Sequence, residues 1–298
     1  MNPTRQPQRP KSHRRAPAQE SAGESSAHLD DRQQRQAAAH SAPAAIVLHE
    51  VVREEGETEL KRPASALLWS GAAAGLSMGF SLLCLALMKA MLPAAPWADI
   101  VAAPGYCVGF IIVILGRQQL FTESTLTGML PLFVHPNLKT LLAVGRLWSV
   151  VLVANLAGTT LIARLLAVPH VFDAAVYAAM HNLGTSIVHS EFGPTFLKAI
   201  FSGWLIGLMV WVLPSARSAR LFVILVLTYV VAIGHLPHIV AGSVEAAFAF
   251  FSGAASVGDY FGGFLAPTLL GNIVGGVALA GLLNHAPLVE DFSTSARS

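Results

Sequence analysis

The stretch GRQQLFTESTLTGMLPLF, residues 116–133, continues directly from APGYCVGFIIVIL, residues 103–115, and interrupts it with Arg, two Gln, Thr, Glu and Ser. The chain around it is 54% hydrophobic and only 12% charged, which excludes an ordinary soluble domain. Runs of about 18 or more residues with few charges mark candidate membrane spans. Six are found, at residues 66–92, 103–134, 140–168, 195–213, 220–251 and 260–284. The expected fold is an all-α polytopic membrane protein with six transmembrane helices, and the polar stretch falls inside the second of them.

The links at 93–102, 169–194 and 252–259 contain no Lys or Arg. Basic residues gather on the other side, with Arg53, Lys61 and Arg62 before the first span, Lys139 and Arg146 near the second turn, and Arg217 and Arg220 between spans four and five. By the positive-inside rule both termini are expected to be cytoplasmic, in an inner or plasma membrane. Lys89, Arg164 and Lys198 lie near the outer ends, where long side chains can snorkel. Residues 1–43 are polar, lack the apolar core of a signal peptide and read as a disordered cytoplasmic tail. Residues 44–65 read as an amphipathic lead-in, a short surface helix before Pro63, or equally as a solvated connection. The channel domain proper is expected at 66–285, with a short cytoplasmic tail at 286–298. Cys84 and Cys107 fall inside apolar spans and read as buried small hydrophobes, so no disulfide, metal or cofactor is expected.

The first three spans match the last three at three landmarks, taken in the same order. SGAAAGL (70–76) pairs with SGWLIGL (202–208), and NLAG, containing Asn155 and Gly158, pairs with NIVG, containing Asn272 and Gly275. The third landmark is the disturbed middle span, broken at QQLFTESTLTG (118–128) and again at GHLPHIVAGS (234–243). Each motif alone is weak, because small residues in spans often serve only close packing. Together they indicate a duplication. A repeat of three crossings must insert its second copy upside down, so two broken helices, the second and fifth, are expected to meet near the midplane. Irregular, polar backbone at membrane depth is tolerated where it is buried in protein or lines a cavity, so the opening stretch marks a pathway. N–H groups at the start of each resumed half-helix would favour an anion.

With these motifs the chain resembles the formate/nitrite transporter family of small-anion channels and transporters, over about residues 44–285. The family's second-span motif, similar to E-L-F-T-x-x-T, reads Gln119-Leu120-Phe121-Thr122-Glu123-Ser124-Thr125 here. Its fifth-span G-F-E-H-x-x-A-N motif resembles GHLPHIVAG, which places the central histidine at His238, with His235 as the alternative because the motif holds one residue more. G-N-x-x-G-G is present at 271–276. The resemblance implies an aquaporin-like six-helix bundle, a homopentamer in the lipid bilayer, and one pore per protomer. It also implies apolar constrictions containing Leu120 and Phe121, a break loop containing Thr122, and His238 in a central chamber. The substrate implied is a formate- or nitrite-like monovalent anion or its weak acid, carried by a channel or proton-linked transporter. A histidine could donate the proton or hydrogen-bond the anion.

The chain also departs from the family pattern. The fourth-span amide is replaced by Gly203 in Gly203-Trp204-Leu205, the Asn after the histidine is Gly242, and the second-span Glu is Gln119. The third link, MHNLGTSIVHSE, carries His181, His189 and Glu191 in place of a lysine. New ionisable residues stand nearby: Arg117 one turn before the first break, Glu123 within it, and Glu245 seven residues after His238. Intramembrane charges mark either a pathway or an ion pair, and both readings stay open for Arg117 with either glutamate. Within transport the alternative is a pore for a small neutral solute. A membrane scaffold or sensor acting through the N-terminal tail is the alternative of another class. An intramembrane enzyme would need a nucleophile and base such as Ser124 and His238; two breaks in a duplicated bundle fit permeation better, so no catalytic activity and no nucleic-acid partner are expected.

Overall fold

The computed structural model describes residues 26, 28–40 and 43–286. It divides into two compact units, one of residues 1–47 with 287–298 and one of residues 48–286. The first unit contains helix α1 (Asp31–His40), inside the stretch expected to be a disordered tail. Its start has a local cause. Asp30 Oδ1 accepts from the N–H groups of Arg32 (2.9 Å) and Gln33 (2.8 Å), and Gln33 Oε1 accepts from Asp30 N–H at 3.0 Å. This is a capping box, which satisfies N–H groups that a helix start otherwise leaves open. Most of the tail, and residues 287–298 of the expected C-terminal one, lie outside the described residues.

Among the described residues every regular element is helical. Five helical stretches are long and apolar enough to cross a membrane: Ala64–Met91, Ala98–Leu115, Leu138–Leu166, Phe192–Ile233 and Asp259–Ala286; Ile239–Phe251 is apolar but shorter. The expected fourth span lies in the stretch of 42 residues from Phe192 to Ile233, and the expected fifth begins in it. At 1.5 Å per residue that stretch is about 63 Å long, twice the roughly 30 Å hydrocarbon core. It divides at a short 3₁₀ turn, Arg217–Ala219, where Arg217 has φ 43°.

In chain order the second unit contains α2 (Ala45–Lys61, which begins in the first unit), α3 (Ala64–Met91), α4 (Ala98–Ala102), α5 (Pro104–Leu115), α6 (Phe121–Thr127) and α7 (Met129–Val134). There follow α8 (Leu138–Leu166), α9 (Ala174–Val188), α10 (Phe192–Ala216), α11 (Arg220–Ile233), α12 (Ile239–Phe251) and α13 (Ala266–Val274). The π-helical segments Asp259–Leu265 and Gly275–Leu282 flank α13. The third link contains α9, which packs on α12. Its Val176, Met180, Gly184 and Val188 recur every four residues and are buried, so an apolar stripe supplies the driving force.

α3 packs along α8, and α10 along α13 and the π-helical segment after it. Both contacts are backbone to backbone. A Cβ on Gly158 would stand 2.9 Å from Gly75 Cα, one on Gly203 would stand 2.6 Å from Asn272 Cα, and one on Gly275 would stand 2.6 Å from Trp204 N. Small residues at these positions let the helices approach closely. The S-G-x-x-x-G-L and N-x-x-G segments are therefore packed against each other in both halves of the chain.

The lead-in helix is not merely a surface element. His49, Val52 and Gly56 of α2 are buried, and Gly56 lies against the carbonyl of Thr127. Its C-terminal end is fastened by Arg146, whose guanidinium donates to the carbonyls of Leu60 (2.7 Å) and Arg62 (3.0 Å). Such carbonyls have no partner within the helix. Arg146→Ala is expected to speed amide exchange in α2 about tenfold, the equivalent of roughly one lost hydrogen bond, and to leave α3 and α8 protected. Exchange read by mass spectrometry checks this; unchanged protection of residues 48–61 would show that Arg146 does not hold the helix.

Candidate pore centre

Two helices stop at similar gaps. α5 ends at Leu115 and α6 begins at Phe121; α11 ends at Ile233 and α12 begins at Ile239. At the first gap the N–H groups of Gly116, Arg117 and Gln118 bond the carbonyls of Ile112 (2.9 Å), Ile114 (3.2 Å) and Val113 (2.9 Å). At the second, those of Gly234, His235 and Leu236 bond Val230 (3.0 Å), Ala232 (3.1 Å) and Val231 (3.0 Å). Arg117 and His235 take the left-handed position of each turn, with φ 50° and 47°. Glycine is usual at this position of a C-terminal cap, so each gap holds a non-glycine residue at some steric cost.

An asparagine holds each gap. Asn155 Oδ1 accepts from Phe121 N–H at 2.9 Å, while its Nδ2 donates to the carbonyls of Gly71 (2.8 Å) and Gln119 (2.9 Å). Asn272 Oδ1 accepts from Ile239 N–H at 2.8 Å, while its Nδ2 donates to the carbonyls of Ala199 (2.9 Å) and Pro237 (3.1 Å) and to Ser202 Oγ (2.9 Å). Serines complete the frame. Ser70 Oγ accepts from Gln119 N–H at 3.0 Å, and Ser202 Oγ donates to the Pro237 carbonyl. The serine's role reverses because Pro237 has no N–H to offer. Several N–H groups expected to be free for an anion are thereby occupied.

α6 and the start of α12 meet at Thr122 and His238, both fully buried. Thr122 Oγ1 lies 2.8 Å from His238 Nε2, and His238 Nδ1 accepts from Ala241 N–H at 3.2 Å. Since Nδ1 is an acceptor, the neutral ring carries its hydrogen on Nε2 and donates it to Thr122. Phe110 meets the imidazole edge to face, with centroids 4.9 Å apart. Leu120 and Phe121 are buried beside this centre, and Phe121 packs edge to face on Trp148 at 6.1 Å.

Cavities lie at two places along this core. One of about 760 Å³ is lined by His238, His235, Glu245, Lys89, Asp99 and Lys198, among others. A second, of about 700 Å³, is lined by Glu54, Glu55, Glu59, Arg62, Arg117 and Glu123, among others. The four glutamates there belong to α2 and α6. Glu59, outside the membrane-spanning segments, accepts from Thr127 Oγ1 at 2.5 Å; burial pushes its carboxyl up, and the Thr127 hydrogen bond opposes that. Arg62 donates to Gln119 Oε1 at 2.8 Å.

Not every residue singled out in the sequence meets the others. Arg117 is exposed, and among the described residues no ion pair joins it to Glu123 or Glu245, which line different cavities. Gly203 lines neither cavity and lies against the Asn272 backbone. Ser124 Oγ accepts from Gln119 Nε2 (2.9 Å) and donates to the Leu120 carbonyl (3.2 Å), so it does not pair with His238. His235 is exposed at the cavity rim while His238 is buried. Gly158 and Gly275 are packing positions. Sequence reading missed Glu59 and Arg62 of the lead-in, Phe110, and the buried Thr195 in the first cavity. The run EEGETELKR gave a signal only of surface charge.

The formate/nitrite transporter family model matches residues 47–286. The inner membrane protein YfdC of Escherichia coli K12 is 41% identical over 254 residues, covering 85% of this chain and 82% of that protein. The uncharacterized transporter YrhG of Bacillus subtilis 168 is 27% identical over 247 residues, covering 78% of this chain and 89% of that protein. A pentameric formate channel with formate bound superposes with a TM-score of 0.64 at 18% identity, covering 76% of this chain and 98% of that one. An FNT family ion channel superposes with a TM-score of 0.65 at 20% identity, covering 82% and 96%. These two share the fold. An all-helical, membrane-length architecture among the described residues, a family match across the whole second unit and a close inner-membrane relative agree: the chain is an integral membrane protein and belongs to the formate/nitrite transporter family.

Proposed function

We propose that each protomer is a pore for a small monovalent weak acid, entering as its anion or neutral acid and crossing between the two cavities past Thr122 and His238. The Thr122–His238 hydrogen bond carries this reading. It joins the two resumed half-helices at a buried centre, with one cavity lined by His238 and the other by Gln119 and Glu123. An anion pays heavily to leave water, whereas its neutral acid does so far more cheaply. Because His238 donates through Nε2, the Thr122 hydroxyl keeps its own proton to offer a passing solute. Leu120 and Phe121 form the apolar constriction, and Glu123, Ser124, Arg117 and Glu245 line its approaches or brace them.

The architecture we infer has six crossings, with Phe192–Ile233 crossing twice, arranged as an inverted repeat of three and three. The matched bonding of the gaps supports it: Phe121 and Ile239 stand 118 residues apart, and their asparagine partners 117. Both termini are placed in the cytoplasm by the basic links. The protomers assemble as a homopentamer, after the solved formate channel that shares the fold.

The four glutamates that line the second cavity beside Arg62, Arg117 and Arg220 favour a second reading, a pore for a small neutral solute, since those that are ionised repel anions. Purified protein in liposomes, offered formate, nitrite, urea and glycerol at about pH 6 and about pH 7.5, separates the two. Uptake of formate and nitrite that rises at the lower pH supports the weak-acid pore. Uptake of urea or glycerol alone, independent of pH, supports the neutral one.

A further inference from the structure

The weak-acid reading needs a proton source, and the geometry removes the obvious one. Both ring nitrogens of His238 are committed, Nδ1 to the Ala241 N–H and Nε2 to Thr122. A second ring proton would sit on Nδ1 and break the cap that starts α12. The first cavity offers another group. Glu245 is seven residues further along α12, two turns or about 10 Å from His238, and only 8% exposed, with its remaining surface in the cavity wall. Among the described residues its carboxyl has neither an ion-pair partner nor a hydrogen bond. Thr195 Oγ1, in the same wall, is also buried without a partner. Two polar side chains without partners thus stand in the wall of one cavity, and Glu245, which keeps some exposed surface, is the one free to bond a ligand there.

The charges around Glu245 sort by depth. Lys89 on α3 bonds Asp99 at 2.5 Å, so that pair is internally neutralised. Lys198 on α10 and His235 at the end of α11 are exposed, and Tyr106 on α5 and His238 are buried. Other titratable groups on elements packed against α12 stand outside this cavity: Arg164 on α8 lies over Phe251, Asp259 caps the turn at Ser256, and neither His181 on α9 nor Glu123 on α6 lines it. An entering anion therefore meets the exposed Lys198 first and a buried, unpaired carboxyl afterwards.

We propose that Glu245 is the proton donor that converts the entering anion into its neutral acid. This rests on the weak-acid reading of the pore. The O–H bond of the Glu245 carboxyl breaks as one forms on the substrate oxygen, and the electron pair stays on Glu245. The neutral acid then crosses the apolar centre, and Glu245 recovers a proton from the water of the cavity, so one proton and one anion leave the same side together.

Formate uptake into proteoliposomes tests this with Glu245→Gln and Glu245→Asp beside the wild type. Glutamine keeps the shape and removes the proton, so uptake at about pH 7.5 is expected to fall roughly 10²-fold, in the range of general acid catalysis. The deficit should narrow at about pH 5, where more substrate arrives already protonated, and aspartate should restore much of the rate. Wild-type rates in Glu245→Gln, or a loss equal at both pH values, would overturn the proposal while leaving the pore reading standing. A wild-type protein that takes up no formate would overturn the pore reading itself, and the proposal with it.

Discussion

Replacing Asn155 by Ala is expected to cost about 3–6 kcal/mol and to leave little assembled protein in the membrane. The side chain makes three hydrogen bonds, all to backbone groups of the first gap or of α3. Each buried backbone group left without a partner costs about 1–3 kcal/mol, and no water in the bilayer core can substitute. Asn272→Ala should do the same to the second gap, where the amide bonds Ile239, Ala199, Pro237 and Ser202. Asn155→Asp in its neutral form keeps the acceptor for Phe121 N–H and one of the two donors, so it should fall between alanine and the wild type. Yield and thermal stability by fluorescence-detected size exclusion check the order. An Asn155→Ala protein as stable as the wild type would show that the first gap is held by something else.

Phe121→Ala carries the second large effect. Phe121 is 1% exposed and packs edge to face on Trp148, so truncation should cost about 3–5 kcal/mol of stability. The Trp148 indole also donates to the Ser124 carbonyl at 2.9 Å, which holds its position when the phenyl ring is gone. The space opened should therefore persist, and uptake of small solutes, including ones the wild type admits poorly, should rise. Permeability measured at equal protein content settles the matter. If Phe121→Ala assembles and its uptake is unchanged, Phe121 is not part of the constriction.

Much of this was legible in the sequence because each signal had one physical cause. Long apolar runs report the absence of water around a helix, and each of the six expected ones falls at least in part on a membrane-length helical stretch, the second and the fifth only in their first part. Asn155 and Asn272 were legible as a matched pair, and the structure gives both the same task of bonding a gap. Three things were hidden. The capping box at Asp30 and Gln33 was present in the sequence but lay in a segment of polar composition, which outweighed the local signal. The burial of α2 is a tertiary event, since GETELKR reads as solvated until Gly56 is placed on Thr127 and Arg62 on Gln119. The separation of Arg117 from Glu245 depends on direction rather than spacing. Arg117 sits in a left-handed turn that keeps it exposed, and Glu245 lines the other cavity.

The central claim is that solute crosses each protomer at Thr122 and His238. Its most direct test is formate uptake by a Thr122→Cys protein, with Cys84 and Cys107 replaced by Ser, before and after treatment with methyl methanethiosulfonate. The added disulfide-linked methyl group would fill a centre that now has no exposed surface at Thr122 or His238. The expected result is uptake that falls to the level of protein-free vesicles once mass spectrometry shows the thiol modified, and that returns on reduction. Undiminished uptake by fully modified protein would contradict the claim and place the pathway elsewhere.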